Sequence, residues 1–276
     1  MIGVIVQARV NSSRLPKKVL KPILGKTAIE REIERVKKSA LCQKIILAIP
    51  DGKKGDALEK IGKQAKVLVF RGSESDVLDR FYQAAKAFQL KDVVRLTGDC
   101  PLFDWQICDE VISFYLQNKF DYVSNVRPPT FPDGLDIEIF SFKALEKAYQ
   151  NAKLKSEREH VTPYIANHPE VFKIGNLIRN GNDLSGLRLT LDEPKDLILI
   201  RKIYGALYKK KKYFVLDDIL KLFQQNPELL KINQNIKRNE GLAKSLQRDD
   251  PTPPPSKRRS GVGKLNNTEY GLKTKK

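Results

Sequence analysis

Apolar residues fall along this chain in two rhythms. Through the first 125 residues, short runs rich in Val and Ile alternate with longer stretches whose apolar positions recur at i, i+3 and i+4 with charges between. The short runs predict strands over 2–8, 44–49, 66–70, 92–97 and 120–124, and the longer stretches predict helices over 27–40, 54–65, 74–89 and 104–118. Regular strand–helix alternation argues for a parallel sheet with helices on both faces, since a parallel connection must cross over the sheet. Pro22 and Pro101 punctuate two of the turns.

From residue 126 the rhythm changes. Pro128-Pro129 and Pro132-Asp133-Gly134 predict a loop, and Leu135–Phe140 then alternates as a strand does. Helices are predicted at 141–152 and 156–167, strands at 172–176 and 188–191, and helices at 194–208 and 215–225. The reading is therefore α/β: one domain over 1–225 with a mostly parallel, helix-flanked sheet, carrying an α+β insertion at 126–180. A helical appendage follows at 226–248, then a basic, Pro-rich tail at 249–276 that is too poor in apolar residues to order itself.

Composition narrows the class. Hydrophobic residues make up 41% of 276, enough for a core, and no apolar run reaches the length of a membrane span. The N-terminus lacks the basic and apolar regions of a signal peptide, and Cys42, Cys100 and Cys108 form no CxxC pair, so the expectation is reduced thiols in the cytoplasm, with Cys100 a packing residue. The net charge of +18 invites a nucleic-acid reading, but residues 251–276 hold seven Lys/Arg and one Glu, about a third of it. The remainder is dispersed lysine, as at 37–38, 53–54 and 209–212, with no nucleic-acid-binding signature, and reads as solvated surface.

The candidate chemistry begins where the first strand ends. Ala8-Arg9-Val10-Asn11-Ser12-Ser13-Arg14-Leu15-Pro16-Lys17-Lys18 is a loop with two arginines, two serines and lysines at the carboxyl end of a strand. That is where open α/β sheets hold ligands, and guanidinium forks, ammonium and hydroxyl groups together suit a polyphosphate. It is neither GxxxxGK[ST] nor GxGxxG. Asp99 and Asp192 also follow predicted strands; each could ligate a hard cation, and Asp192 could equally cap the helix at 194–208. Arg71 ends the third strand and could reach a base or a phosphate, while Ser73 reads as a helix N-cap and Arg80 as a partner of Asp76 or of the nucleotide. Asp133, Asp136 and Glu138 cluster near Asn125, with Asp136 and Glu138 two apart on one strand face. Arg158, Glu159 and His160 open a helix, where Arg158 could pair with a carboxylate and His160 could orient or deprotonate a hydroxyl.

Ala8-Arg9-x-x-Ser12-Ser13-Arg14-Leu15-Pro16-x-Lys18 resembles the signature loop of the sugar-acid cytidylyltransferases, which make CMP-activated 3-deoxy-manno-octulosonate and CMP-sialic acids. Arg95-Leu96-Thr97-Gly98-Asp99-Cys100-Pro101-Leu102, Phe131-Pro132-Asp133-Gly134-Leu135-Asp136-Ile137-Glu138, Ser156-Glu157-Arg158-Glu159-His160-Val161-Thr162 and Asp192-Glu193-Pro194-Lys195-Asp196 follow in order. They resemble in particular the branch named for spore coat polysaccharide biosynthesis protein F, over about residues 1–245. The resemblance implies a nucleotide-diphospho-sugar transferase (GT-A-like) fold and a homodimer whose insertion shapes the acceptor site. It implies Mg²⁺ on Asp99 and Asp192, with Arg9, Arg14 and Lys18 on the triphosphate of CTP. Ala8, Ser12, Ser13, Arg71 and Arg80 would contact the nucleotide, and Asn125, Asp133, Asp136, Glu138, Arg158, Glu159 and His160 the sugar acid. A glycosyltransferase of the same fold is the alternative, although Thr97-Gly98-Asp99-Cys100 lacks the second aspartate of an Asp-x-Asp motif. A nucleic-acid-binding protein using the basic tail is a third.

Overall fold

The computed structural model of the chain describes residues 1–236, 238 and 240–249. Apart from Asp249, the tail expected over 249–276 lies outside them. The fold is organised on β1 (Ile2–Gln7), which is apolar on both faces: Val4 and Val6 enter one core and Ile5 the other. Such a strand needs partners on both edges and helices on both sides. It pairs in parallel with β4 (Lys44–Pro50) and β6 (Asp92–Thr97), and β4 pairs in parallel with β5 (Leu68–Gly72). Between them run a small hairpin, β2 (Pro22–Ile23) and β3 (Lys26–Thr27), then α1 (Ala28–Val36), α2 (Asp56–Gln64) and α3 (Val77–Ala87).

Past β6, α4 (Trp105–Asn118) leads to β7 (Tyr122–Ser124), and β8 (Glu138–Ser141) then inserts antiparallel between β6 and β7. With β9 (Ile174–Asn176) parallel to β7, the order is β5-β4-β1-β6-β8-β7-β9, and among the described residues β8 alone is reversed. The reversal matters for the site. It sets the start of β8 beside the end of β6, so Glu138 lies opposite Arg95 and the loop before β8 opens on the same edge as the loops after β1 and β6. The remaining helices are α5 (Phe142–Asn151), α6 (Lys155–His160), α7 (Pro163–Ala166), α8 (Pro194–Leu207), α9 (Leu216–Gln225) and α10 (Glu240–Asp249). Among the described residues no helix is long and apolar enough to cross a membrane.

Three local expectations are corrected. The helix expected over 156–167 is two, because Val161 adopts φ 73° and Pro163 starts a new turn. Residues 188–191 form no strand: this segment lies across the sheet edge, held by a single bridge from Arg188 to Asp133 and by the Leu191 N–H donating to the Asp99 carbonyl at 2.8 Å. The N-cap of α3 is Asp76, whose carboxylate accepts from the Asp79 N–H at 2.9 Å, while the Ser73 hydroxyl accepts from Asp76 itself.

Candidate active site

The site begins with close backbone contacts at the ends of β1 and β6. A Cβ on Gly98 would lie 2.9 Å from the Ala8 side chain and 3.0 Å from the Gln7 carbonyl, so only glycine lets the two loops meet. On the far side, Gly134 sits at φ +100° with room for no Cβ beside the Thr190 N–H at 2.4 Å, which brings the loop before β8 onto the segment before α8.

These approaches bring three distant side chains together. The Lys18 ammonium lies 2.5 Å from an oxygen of Asp99 and 2.5 Å from one of Asp192. Burial works against the Lys18 charge, but the two carboxylates outweigh it and hold the ammonium above its ordinary pKa. Burial likewise opposes ionisation of Asp99, and Lys18 overrides it, keeping that carboxyl well below the usual range. Asp192 is not the helix cap: Asp196 takes that work, accepting from the N–H groups of Asp192 and Glu193 at 2.9 Å. Asp192 is left to face Lys18 and Arg14, the latter at 3.2 Å. Two carboxylates separated by one cation suit a hard divalent ion completed by phosphate and water oxygens, so the donor set fits a divalent cation of that kind. Behind Asp99, the buried Glu32 carboxylate accepts from the Cys100 N–H at 3.0 Å and, through burial and then Asp99, is pushed above its ordinary pKa.

Three cavities open around this centre. The outer one, about 740 Å³, is lined by Arg9, Ser12, Ser13, Arg14, Lys17 and Lys18 of the first loop, with Ser245 and Arg248 from α10. A small one, about 190 Å³, lies over Gln7, Ala8, Arg80 and Thr97. The central one, about 420 Å³, is bounded by Arg95, Arg127, Asp133, Asp136, Glu138 and His160 as well as by the Lys18 cluster. In it Asp136 is pushed up to about 7 by burial, which outweighs Arg238 at 2.5 Å and is reinforced by Asp133 and Glu138. Glu138 shifts the other way, because the Arg95 guanidinium and the Tyr122 hydroxyl overcome its burial. His160, at the junction of the two inner cavities, is lowered by burial and then by Arg95, which keeps its imidazole neutral near pH 7.

The cytidylyltransferase family model matches residues 3–237. This chain belongs to the cytidylyltransferase family. It is 41% identical over 236 residues to a protein of uncharacterised activity from Methanocaldococcus jannaschii, covering 84% of this chain and 94% of that one. It is 32% identical over 235 residues to the spore coat polysaccharide biosynthesis protein SpsF of Bacillus subtilis, covering 81% and 94%. A solved cytidylyltransferase from Leptospira borgpetersenii superposes with a TM-score of 0.79 at 34% identity, covering 87% and 99%.

In this cytidylyltransferase three expected site residues are not brought to the cavities. Arg71 turns away toward Asp56 and Glu59, both at 2.6 Å. Asn125 is buried with both ends of its amide occupied, donating to the Leu135 carbonyl at 2.8 Å and accepting from the Ile137 N–H at 2.9 Å, so it shapes the loop before β8. Arg158 pairs with Asp76 and donates to the Tyr149 carbonyl at 2.8 Å, tying α6 to α3. Arg80 does reach the small cavity, but it donates to the Ser73 carbonyl rather than pairing with Asp76. Glu159 borders the two cavities nearest the loop and accepts from the Ser245 hydroxyl at 2.9 Å.

Arg188, not among the residues expected from the sequence, joins Asp133 at 2.7 Å, Asp192 at 3.3 Å and Asp196 at 3.0 Å, with Asn233 also donating to Asp196. Its signal was faint: an arginine four residues before Asp192, inside an apolar alternation. Residues 226–248, expected as a separate helical appendage, also reach the site. The structure lays Arg238 on Asp136, Ser245 on His160 and Glu159, and Asp249 on the Ser156 N–H, making α10 a wall of the site.

Proposed function

We propose that this cytidylyltransferase transfers CMP from CTP to a hydroxyl of a sugar acid, with Mg²⁺ as its metal and a homodimer as its working form. The observation that carries the reading is Lys18 held at 2.5 Å from both Asp99 and Asp192 at the head of the arginine loop. In this reading the triphosphate lies along Arg9, Ser12, Ser13 and Arg14. Lys18 and Arg14 exchange carboxylate partners for phosphate oxygens and balance the charge gathering on the departing pyrophosphate. A divalent ion on Asp99 and Asp192 supplies neutralisation at the phosphate oxygens. The sugar hydroxyl attacks the α-phosphorus in line; its oxygen forms the new P–O bond as the bond to the β-phosphate breaks. His160, neutral and at the junction of the cavities, is positioned to take the hydroxyl proton. Holding both substrates in register supplies most of the acceleration.

The central cavity supports the acceptor class: Arg95 and Arg127 offer cations to a carboxylate, and Asp133 and Asp136 offer acceptors to hydroxyls. The name of the Bacillus subtilis relative places that protein in spore coat polysaccharide biosynthesis, which supports a surface polysaccharide as the destination of the product. The test is pyrophosphate release from CTP, ATP, GTP and UTP against an array of 2-keto sugar acids with Mg²⁺, alongside light scattering for the dimer. CTP-dependent release with one acceptor is expected. Equal release from all four nucleotides, or nucleoside diphosphate freed from a nucleotide sugar, would overturn the reading.

A further inference from the structure

The small cavity is lined by three residues with a buried polar atom that the other described residues leave unserved: Gln7, Arg80 and Arg95. Gln7, the last residue of β1, sits between Ala48 and Thr97 on the sheet. Its Oε1 is buried and, among the described residues, finds no hydrogen-bond partner. Across the cavity Arg80 of α3 is 2% exposed, gives one N–H to the Ser73 carbonyl, and keeps its Nε buried without a partner. Both residues line the same cavity of about 190 Å³, roofed by Ala8 and Arg9 and adjoining Lys18 and Asp99. Buried polar groups left unpaired cost stability, so an acceptor on Gln7 facing donors on Arg80 and Arg95 around one small cavity points to a ligand that offers both a donor and acceptors.

We propose that Gln7 is the residue that reads the exocyclic amine of cytosine, with Arg80 reading the neighbouring ring acceptors. The inference rests on the nucleotide reading above and deepens it. Along one edge cytosine presents an amine donor at N4 and then two acceptors, N3 and O2. The Gln7 Oε1 complements the donor, and the Arg80 N–H groups complement the acceptors. Uracil offers an acceptor at O4 and a donor at N3. Rotating the Gln7 amide would accommodate O4, but the N3–H would still face a guanidinium that can only donate. A site whose buried groups must be satisfied rejects the ligand that leaves them unpaired. Gln7 also has a clear route to the chemistry, because its carbonyl accepts from the Gly98 N–H at 2.8 Å, one residue before Asp99.

The test is calorimetric binding of CTP, UTP and the triphosphate of pyrimidin-2-one riboside, which is cytidine without the amine, to the full chain and its variants. The wild-type protein should bind the amine-less analogue about tenfold or more weakly than CTP. In Gln7→Met, which keeps the side chain's length and removes both polar atoms, that penalty should vanish. In Gln7→Glu, which keeps an acceptor and charges it, the penalty should grow. The Gln7→Glu arm decides the matter if the methionine variant does not fold. Equal affinity of the wild-type chain for CTP and the analogue overturns the assignment, as does a penalty unchanged in either folded variant. A chain that binds CTP without any amine penalty loses Gln7 as reader and keeps its cytidylyltransferase reading; a chain that binds no CTP loses both.

Discussion

The sheet from β5 to β6 and the stretch between β7 and α8 are built on opposite plans. In the first, strands pair in register over five or six residues and bury continuous apolar runs, so near neighbours decide where each side chain goes. In the second, β8, α5, α6, α7 and β9 are short, with long loops before β8 and after β9, and charged side chains hold those loops: Arg188 reaches Asp133, Asp192 and Asp196, Arg238 reaches Asp136, and Arg95 reaches Glu138. The first is a regular shelf, on which a nucleotide would lie in the reading proposed above. The second is a network of ion pairs, and in the reading proposed above it forms the wall that would meet the acceptor.

The largest effect should come from breaking the network at its hub. Arg188→Ala leaves Asp196 buried without a cation and Asp133 with only Arg238 at 4.0 Å, and should cost about 3–5 kcal/mol, lowering the melting temperature by about 10 °C. Thermal melts check this, and a change of only a degree or two would show that the loops stand without the arginine. Next are the two carboxylates that join the regions. Asp99→Asn and Asp192→Asn should each lower turnover at least about a hundredfold, about 2.7 kcal/mol of barrier, with folding retained. Pyrophosphate release titrated with Mg²⁺ checks it, and near wild-type turnover at limiting Mg²⁺ would remove that aspartate as a ligand.

A smaller effect separates the regions by pH. The folded Asp136 holds its proton up to about 7, whereas the unfolded carboxyl loses it near its ordinary value of 3.8. The folded state therefore binds more protons in that window, and this group's contribution falls as pH rises from about 4 through about 7. Asp136 lies deep in the central cavity, although 32% of its side chain remains open within it, so solvent moderates the effect. Asp136→Asn should raise the melting temperature relative to wild type more at pH 8 than at pH 5. The reverse order would mean that the contact with Arg238 dominates. Arg71, on the outer edge of the shelf, should matter least within the fold: Arg71→Ala should leave turnover and the KM for CTP within about twofold, as expected for an exposed ion pair. A chain ending at Asp249 should keep turnover within the same margin, since residues 250–276 carry prolines and basic residues without a core. Steady-state kinetics decide both, and a loss beyond about tenfold in either would move that residue or segment into the site.

The shelf was legible because its signals are local. The strands expected at 2–8, 44–49 and 92–97 match β1, β4 and β6 to within a residue, since a Val- and Ile-rich run bounded by turn residues has few other uses. The arginine loop was legible for the same reason: its composition at a strand's end states its charge. Arg71 misled because the same position at a strand's end faces either the site or α2, and only the place of Asp56 and Glu59 chose. Residues 188–191 misled because their alternation is real but answers to the loop before β8 rather than to a neighbouring strand. Val161 at φ 73° broke a helix that periodicity carried straight through.

By itself the sequence determined the parallel core and the arginine- and serine-rich loop at the end of β1, and it offered Asp99 and Asp192 as candidate carboxylates, because strand burial, turn chemistry and charge are properties of short segments. Tertiary structure alone decided that Lys18 lies between carboxylates 81 and 174 residues away, that Arg188 ties Asp133 to Asp196, that Ser245 of α10 reaches His160 and Glu159, and that Gln7 is left with an oxygen unpaired among the described residues. Contacts of that reach depend on how the elements pack, and burial, which sets the charge and the unmet hydrogen bonds of each of these groups, exists only once they have.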